Sequence, residues 1–311
     1  MKQNQFIFYI PVLILVTGFS VLSTGCTSQR SDKKSADVYV PDYSTPELVI
    51  NSHQHSRDTE AWEKEFIETY TRYHAMACVF WPLERAEKGI AFAKAHPDLV
   101  IPYIQISLDS PTVLEDIKRT HAMGYKGFGE IPSGSLYRYD DPSYEPIWTL
   151  LEELGMVPLF HTGVRQTGIF DLLRPATLAT IAAKHPKLNI FGAHFGNPWY
   201  DEAAEGSRRN RNLYWDLTGS SLIKKENNPG IWKEYLWWTD IVGKGLPHTP
   251  VDVKPAFEYI VFGTDEGPDE AAVRENIRRF NKMLDANNVA DSTRAKMWGL
   301  TLARIHGINV K

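Results

Sequence analysis

The chain has 311 residues, a formal net charge of -4 and an ordinary globular composition, 43% apolar and 23% charged. Its length admits one large domain or two modest ones, so the domain count must come from the pattern. A weak charge of this sign, with no basic stripe interleaved with aromatics, argues against nucleic acid as a partner.

At the start, Lys2 precedes an apolar stretch from Phe6 to Leu22 that runs into Ser23-Thr24-Gly25-Cys26. Residues 1–25 read as a secretory signal peptide. Small residues directly before a cysteine resemble the lipobox of bacterial lipoproteins, which implies cleavage before Cys26 and a lipid on its thiol, although Leu22 lies one place further away than that pattern has it. An uncleaved anchor helix is the competing reading; the run is short for a span and Pro11 interrupts it. Either way the domain is held at a membrane of the cell envelope, on the periplasmic or extracellular side. Residues 26–46, rich in Ser, Lys, Asp and Pro, suit a lipidated tether. Cys78 is then the remaining cysteine and reads as a small buried hydrophobe.

From residue 47 to 311, short β-rich apolar runs alternate with longer helical stretches. In chain order the runs are Leu48 to His53, Ala75 to Phe80, Val100 to Ile106, Tyr125 to Glu130, Val157 to His161, Asn189 to His194, Leu213 to Leu217 and Tyr259 to Gly263. Each is short enough for a buried parallel strand. Pro82 to Ala95, Pro111 to Ala122, Ser143 to Leu154, Pro175 to Lys184, Ile231 to Val242 and Glu270 to Leu284 read as helices, several opening on Pro or on a capping Ser, Thr or Asp. Within residues 218 to 256, Asn227-Asn228-Pro229-Gly230 and Pro247-His248-Thr249-Pro250 mark long loops. Eight strand-helix units in about 260 residues predict a single (β/α)8 TIM barrel. A doubly wound sheet would carry fewer strands and a Gly-rich phosphate turn.

Residues able to bind a metal fall at the C-terminal ends of these strands, the catalytic face of such a barrel. His53 and His55 close the first run in Asn51-Ser52-His53-Gln54-His55, and residues two apart in a strand share a side, so both imidazoles can reach one ion. Glu130 ends the fourth run, His161 the fifth and His194 the sixth, and Asp265 follows the eighth. Any one of them has a plainer reading as a loop or capping residue; their gathering at one end of the strands is the informative pattern. Glu130 also reads as a salt-bridged rim residue, and regular alternation would turn Lys126 inward beside it. Arg165 and Trp199 are candidates for holding an anionic or ring-bearing ligand, against the commoner reading as surface packing. Arg208, Arg209 and Arg211 read as a solvated basic cluster.

This set resembles the amidohydrolase superfamily. The flanking Tyr125-Lys126-Gly127-Phe128, Phe160-His161-Thr162-Gly163, His194-Phe195-Gly196-Asn197-Pro198, Phe262-Gly263-Thr264-Asp265 and the closing Met297 to Gly307 resemble its amidohydrolase-related family, which includes the aminocarboxymuconate semialdehyde decarboxylase group. The resemblance covers essentially the whole barrel. It implies that His53, His55, His161 and Asp265 hold one divalent metal ion, with His194 beside it as a base or electrophile. Gly129-Glu130-Ile131 also resembles the strand-four glutamate of TatD-like hydrolases, which implies a bridged pair of metals with His161 and His194 on the second. Zinc is the expected metal, with manganese or iron suited to the same donors. Asn51 stands where an acid commonly precedes the histidine pair, Glu266 where an aromatic is usual, and Pro268 comes one place late.

The expected function is metal-dependent hydrolysis of an amide, ester or lactone bond in a small molecule. The ion supplies hydroxide near neutral pH, Asp265 takes the water's proton and His194 polarises the scissile oxygen. The alternatives are metal-dependent non-oxidative decarboxylation of an unsaturated or aromatic carboxylic acid and, from a different class, a non-catalytic binding lipoprotein. Substrate identity, metal number and assembly into a homo-oligomer are left open.

Overall fold

The structure, a computed structural model, describes residues 47–132, 134–164, 169–241, 250 and 253–310. The expected signal peptide, Cys26 with its tether, and Arg165 lie outside the described residues. Eight parallel strands pair in chain order: β1 (Val49–His55), β2 (Ala75–Pro82), β3 (Val100–Gln105), β4 (Gly127–Ile131), β5 (Val157–Phe160), β6 (Ile190–Gly192), β7 (Leu213–Asp216) and β8 (Ile260–Val261). The Ser52 amide donates to the Phe262 carbonyl and the Asp265 amide to the His53 carbonyl, both at 2.9 Å. These bonds bring β8 against β1 and close the sheet into the expected TIM barrel.

The strands are apolar along their length because each is covered twice, by the barrel interior and by the outer helices. In β2, Ala77 through Trp81 are all fully buried. Burial pushes the Cys78 thiol up to about 12, as expected of a small core side chain. The outer layer comprises α1 (Glu60–Arg72), α2 (Ala86–Ala95), α3 (Val113–Met123), α4 (Glu145–Leu154), α5 (Pro175–Lys184), α6 (Tyr200–Arg209), the short α7 (Ser220–Lys225) and α8 (Trp232–Tyr235), then α9 (Glu270–Ala286), α10 (Asp291–Ala295) and α11 (Thr301–His306). The start of α1 is fixed by Thr59, whose side chain accepts from the Trp62 amide, and that of α9 by Asp269, which accepts from the Ala272 amide. Among the described residues no helix is long and apolar enough to cross a membrane.

Two expectations fail between β7 and β8. The stretch from Ile231 to Val242 is not one helix: α8 stops at Leu236, and a 3-10 turn follows over Trp237–Ile241. Trp232 and Trp238 would lie about 120° apart on a continuous helix, yet both are buried. Breaking the helix lets each indole reach the core. The second is the stretch ahead of Asn227-Asn228-Pro229-Gly230, expected as part of the loops, which holds α7; 242–249 and 251–252 lie outside the described residues.

Two irregularities in strand pairing aim the side chains of the site. Along β1 the pairing steps from Asn51 opposite Ala77 to Gln54 opposite Val79, one extra residue on β1. Without this bulge Asn51 would share a face with His53 and His55. Instead the Asn51 amide donates to the Tyr70 hydroxyl on α1 (2.6 Å), which itself donates to Gln54 (2.9 Å). Along β4 the pairing steps from Phe128 opposite Pro158 to Ile131 opposite Phe160. That bulge breaks the alternation expected to turn Lys126 inward: Lys126 is exposed ahead of the strand and is no partner of Glu130. Gly129 makes the bulge possible, since its φ is +137° and a Cβ there would lie 2.3 Å from the Leu159 carbonyl oxygen.

Candidate metal centre

The bulges leave His53 and His55 on β1 and Glu130 on β4 facing one mouth of the barrel, and His161, His194 and Asp265 join them from the segments that follow β5, β6 and β8. His194 and Asp265 sit at φ 62° and 54°, a left-handed conformation that strains any residue with a Cβ. Neighbours hold them there. The His194 amide donates to Asp216 (2.8 Å), its carbonyl accepts from the Ser221 hydroxyl (2.6 Å), and the Asp265 amide is bound to β1.

The six side chains form two groups, each compact enough to share one cation: His53, His55 and Asp265, and Glu130, His161 and His194. In the first, the Nε2 atoms of His53 and His55 are 3.3 Å apart, and Asp265 Oδ1 lies 3.3 and 3.4 Å from them. In the second, Glu130 Oε1 lies 2.8 Å from His161 Nδ1 and 3.7 Å from His194 Nε2, which is 3.3 Å from His161 Nδ1. Glu130 connects the two, because its other oxygen, Oε2, lies 3.2 Å from His55 Nε2 and 3.7 Å from His53 Nε2. Thus all six predicted residues meet, but His161 stands with His194 and Glu130 rather than with His53, His55 and Asp265.

Behind these atoms lies Asp216, which closes β7 and was not singled out in the sequence. Its Oδ2 lies 3.0 Å from His53 Nδ1, and its Oδ1 accepts from the amides of His194 and Thr218 and from the Thr218 hydroxyl. With its own proton given to Asp216, the Thr218 oxygen accepts at 2.8 Å from His194 Nδ1. Both rings therefore carry a proton on Nδ1 and turn Nε2 toward the cluster, the orientation a metal ligand needs. The signal for Asp216 was an acid ending an apolar strand, Leu213-Tyr214-Trp215-Asp216, at the same end as the other candidates.

The charges ask for a cation. Burial opposes ionisation of Glu130, Asp265 and Asp216, yet His53 and its neighbours hold all three carboxyls below their ordinary values, Glu130 well below. Burial likewise opposes charge on His53, but Asp265, Glu130 and Asp216 raise it well above the usual imidazole value. Burial lowers His194. Imidazole nitrogens facing each other across carboxylates are a donor set for divalent metal ions. His161 Nε2, distinct from the Nδ1 that faces Glu130 and His194, is buried with no hydrogen-bond partner among the described residues. The residues present fit one cation in each group.

Above them opens a cleft of about 380 Å³, lined by His55, Gln105, Glu130, Pro132, His161, His194 and Asp265. Gln105, also missed in the sequence, ends β3 and donates to the Glu130 carbonyl at 3.2 Å. Trp199 does not line the cleft: its ring lies 4.8 Å from the Arg174 guanidinium, a packing role rather than the expected ligand contact. Nor is the expected basic cluster uniformly solvated, because Arg208 is buried, bound to Glu205 and set 5.3 Å from the Trp237 ring.

A family model described as Amidohydrolase matches residues 49–277. No curated protein matches the sequence. Solved structures do match the fold. An uncharacterized TIM-barrel protein from Bordetella bronchiseptica aligns over 84% of this chain and 99% of its own with a TM-score of 0.64 at 13% identity. The 5-carboxyvanillate decarboxylase LigW from Sphingomonas paucimobilis aligns over 84% and 99% with a TM-score of 0.56 at 12% identity. An amidohydrolase from Burkholderia multivorans, solved with bound zinc, aligns over 84% and 100% with a TM-score of 0.58 at 13% identity. At such identities the likeness is one of fold.

Proposed function

The chain belongs to the amidohydrolase family, and from that premise we propose that it is a two-cation hydrolase that cleaves an amide, ester or lactone bond in a small molecule. The observation that carries this reading is the placing of Glu130, with one carboxylate oxygen toward His53 and His55 and the other toward His161 and His194. A single-ion centre would give that carboxylate no such task. When bound, divalent cations supply Lewis acidity and a hydroxide nucleophile near neutral pH. Zinc is the first choice for these donors, with manganese or iron next.

The side chains divide the remaining work. Asp265 directs Oδ1 to His53 and His55 and keeps Oδ2 on the side of His194, 3.9 Å from its Nε2. Held ionised, that carboxylate takes the proton of the attacking water and returns it to the leaving group. His194, kept neutral by burial, offers its Nε2 to the Glu130 side of the centre. Gln105 gives the cleft wall an uncharged amide able to bind a substrate oxygen. A cleft of about 380 Å³ admits a metabolite-sized molecule.

Decarboxylation remains the second reading, supported by the shared fold of LigW; the set His53, His55, His161 and Asp265 on one ion would serve it. Counting metal in wild type and Glu130→Gln separates the two, alongside turnover of ester, lactone and amide panels with carbon dioxide monitored. Two ions falling to one or none, with hydrolysis reduced about a hundredfold or more, agrees with the bridged centre. One ion in both proteins and release of carbon dioxide would overturn it, and metal binding with no turnover of any kind would favour a binding protein.

We further propose, from residues 1–46 alone, that Cys26 carries the lipid anchor of an envelope enzyme. Labelling of the full chain by a radioactive fatty acid should be lost in Cys26→Ser, and labelling that persists would refute it.

A further inference from the structure

A cavity of about 610 Å³, larger than the cleft over the candidate metal centre, lies at the opposite end of the barrel. It is framed by the segments leading into β6, β7 and β8 and by α11. Four cationic side chains line it, Arg211, Lys254, Lys296 and Arg304, and Glu258 is the one carboxylate among its lining residues. Glu258 is engaged by Lys296 at 2.6 Å. The chain as a whole is acidic, at -4, so this concentration of positive charge is local rather than a general property of the surface.

Two of the cations, Lys254 and Arg304, are held in place by neutral partners. Lys254 Nζ and Arg304 Nη2 both donate to the hydroxyl of Tyr214, at 2.6 and 3.0 Å. Lys254 also donates to the Arg211 carbonyl at 2.9 Å, and its ammonium lies 4.5 and 5.1 Å from the Tyr214 and Tyr259 ring centres. Two like charges drawn to one uncharged hydroxyl repel each other, and among the described residues no carboxylate pairs with either. Tyr214 is buried and its oxygen accepts both bonds, so the hydroxyl of this lining residue keeps its own O–H as a further donor. The Arg304 guanidinium, an ordered ammonium and an O–H donor match the oxygens of a phosphate group, and tethering beforehand reduces the ordering cost of binding.

We propose that this cavity is a second binding site, separate from the metal centre, for the phosphate group of a phosphorylated molecule. Its volume suits a small phosphate ester; a lipid headgroup offers the same chemistry from a surface. Calorimetry with the metal-loaded protein tests it, using pyrophosphate as the soluble probe and phosphatidylglycerol vesicles as the membrane probe. Wild type, the K254Q/R304Q double variant and Tyr214→Phe are compared, with metal content and melting temperature followed in each.

Binding of one pyrophosphate per chain, weakened by salt, at least tenfold weaker in K254Q/R304Q and severalfold weaker in Tyr214→Phe at unchanged metal content, is the expected result. If only the vesicles bind and that binding is lost in the variants, the phosphate is a headgroup. Pyrophosphate bound equally by all three proteins would place it at the metal centre and overturn the proposal, as would the absence of saturable binding of either probe at millimolar phosphate. Tyr214→Phe keeps every charge and nearly all the packing, so it reads the site even if the double variant folds poorly.

Discussion

Asp216 touches both halves of the candidate metal centre without facing the cleft, through the ring of His53 and the backbone of His194. An amide in its place keeps the shape but withdraws the charge that steadies the His53 proton. Asp216→Asn should therefore retain the fold, measured by melting, while metal affinity falls about 10- to 100-fold in competition with a chelator; unchanged affinity would show that the His53 tautomer is set by something else. At this scale the sequence was informative about what stands at the barrel mouth and less so about what stands behind it. His53, His55, Glu130, His161, His194 and Asp265 were readable because they end apolar runs. Asp216 ends one too, but its task lies in hydrogen bonds to residues that are neighbours only after the barrel closes. The grouping of His161 with His194 was readable only from the strand-four glutamate, and of the two readings of Trp199 the packing one fits its place against Arg174.

The strands themselves were legible because parallel strands covered on both faces are uninterrupted apolar runs, and α5 was legible from its opening proline. What alternation could not show was where it is interrupted. The bulges in β1 and β4 each add one residue that no periodicity marks, and each reverses which side chains share a face. Lys126 was assigned the wrong side for this reason. Gly129 is the local clue, and Gly129→Ala is the corresponding test. A methyl group directed at the Leu159 carbonyl from a backbone at φ +137° should cost about 1–3 kcal/mol. Denaturant unfolding would measure that cost, and metal affinity should fall with it because Glu130 is displaced; a variant as stable as wild type would show the bulge can move freely. The failed helix between Ile231 and Val242 is a related case, in which two tryptophans each needing burial outweighed helical pattern.

Across the whole molecule, length and the count of alternating elements sufficed for a closed barrel, since eight strand-helix units leave few other ways to bury so many apolar strands. The acidic overall charge, by contrast, concealed the cationic cavity at the far end, whose residues come from separate segments of the chain. Metal removal should be felt throughout. Binding to the folded state alone at 100 to 1,000 times the dissociation constant contributes about 3–4 kcal/mol, so a chelator should lower the melting temperature by roughly 6–16 °C for a domain of this size. A melting curve indifferent to chelation would mean that the side chains hold themselves together.

The barrel closes at the join between its last strand and its first. β8 is only two residues long, and much of its attachment to β1 comes from the Ser52–Phe262 and Asp265–His53 bonds. His53 and His55 stand on one lip of that join and Asp265 on the other, so a cation shared by them acts as a rivet through the hoop where its two ends overlap. Withdrawing it should loosen the overlap first, and the amide hydrogens of Ser52 and Asp265 should exchange with deuterium sooner than those in the middle of β2.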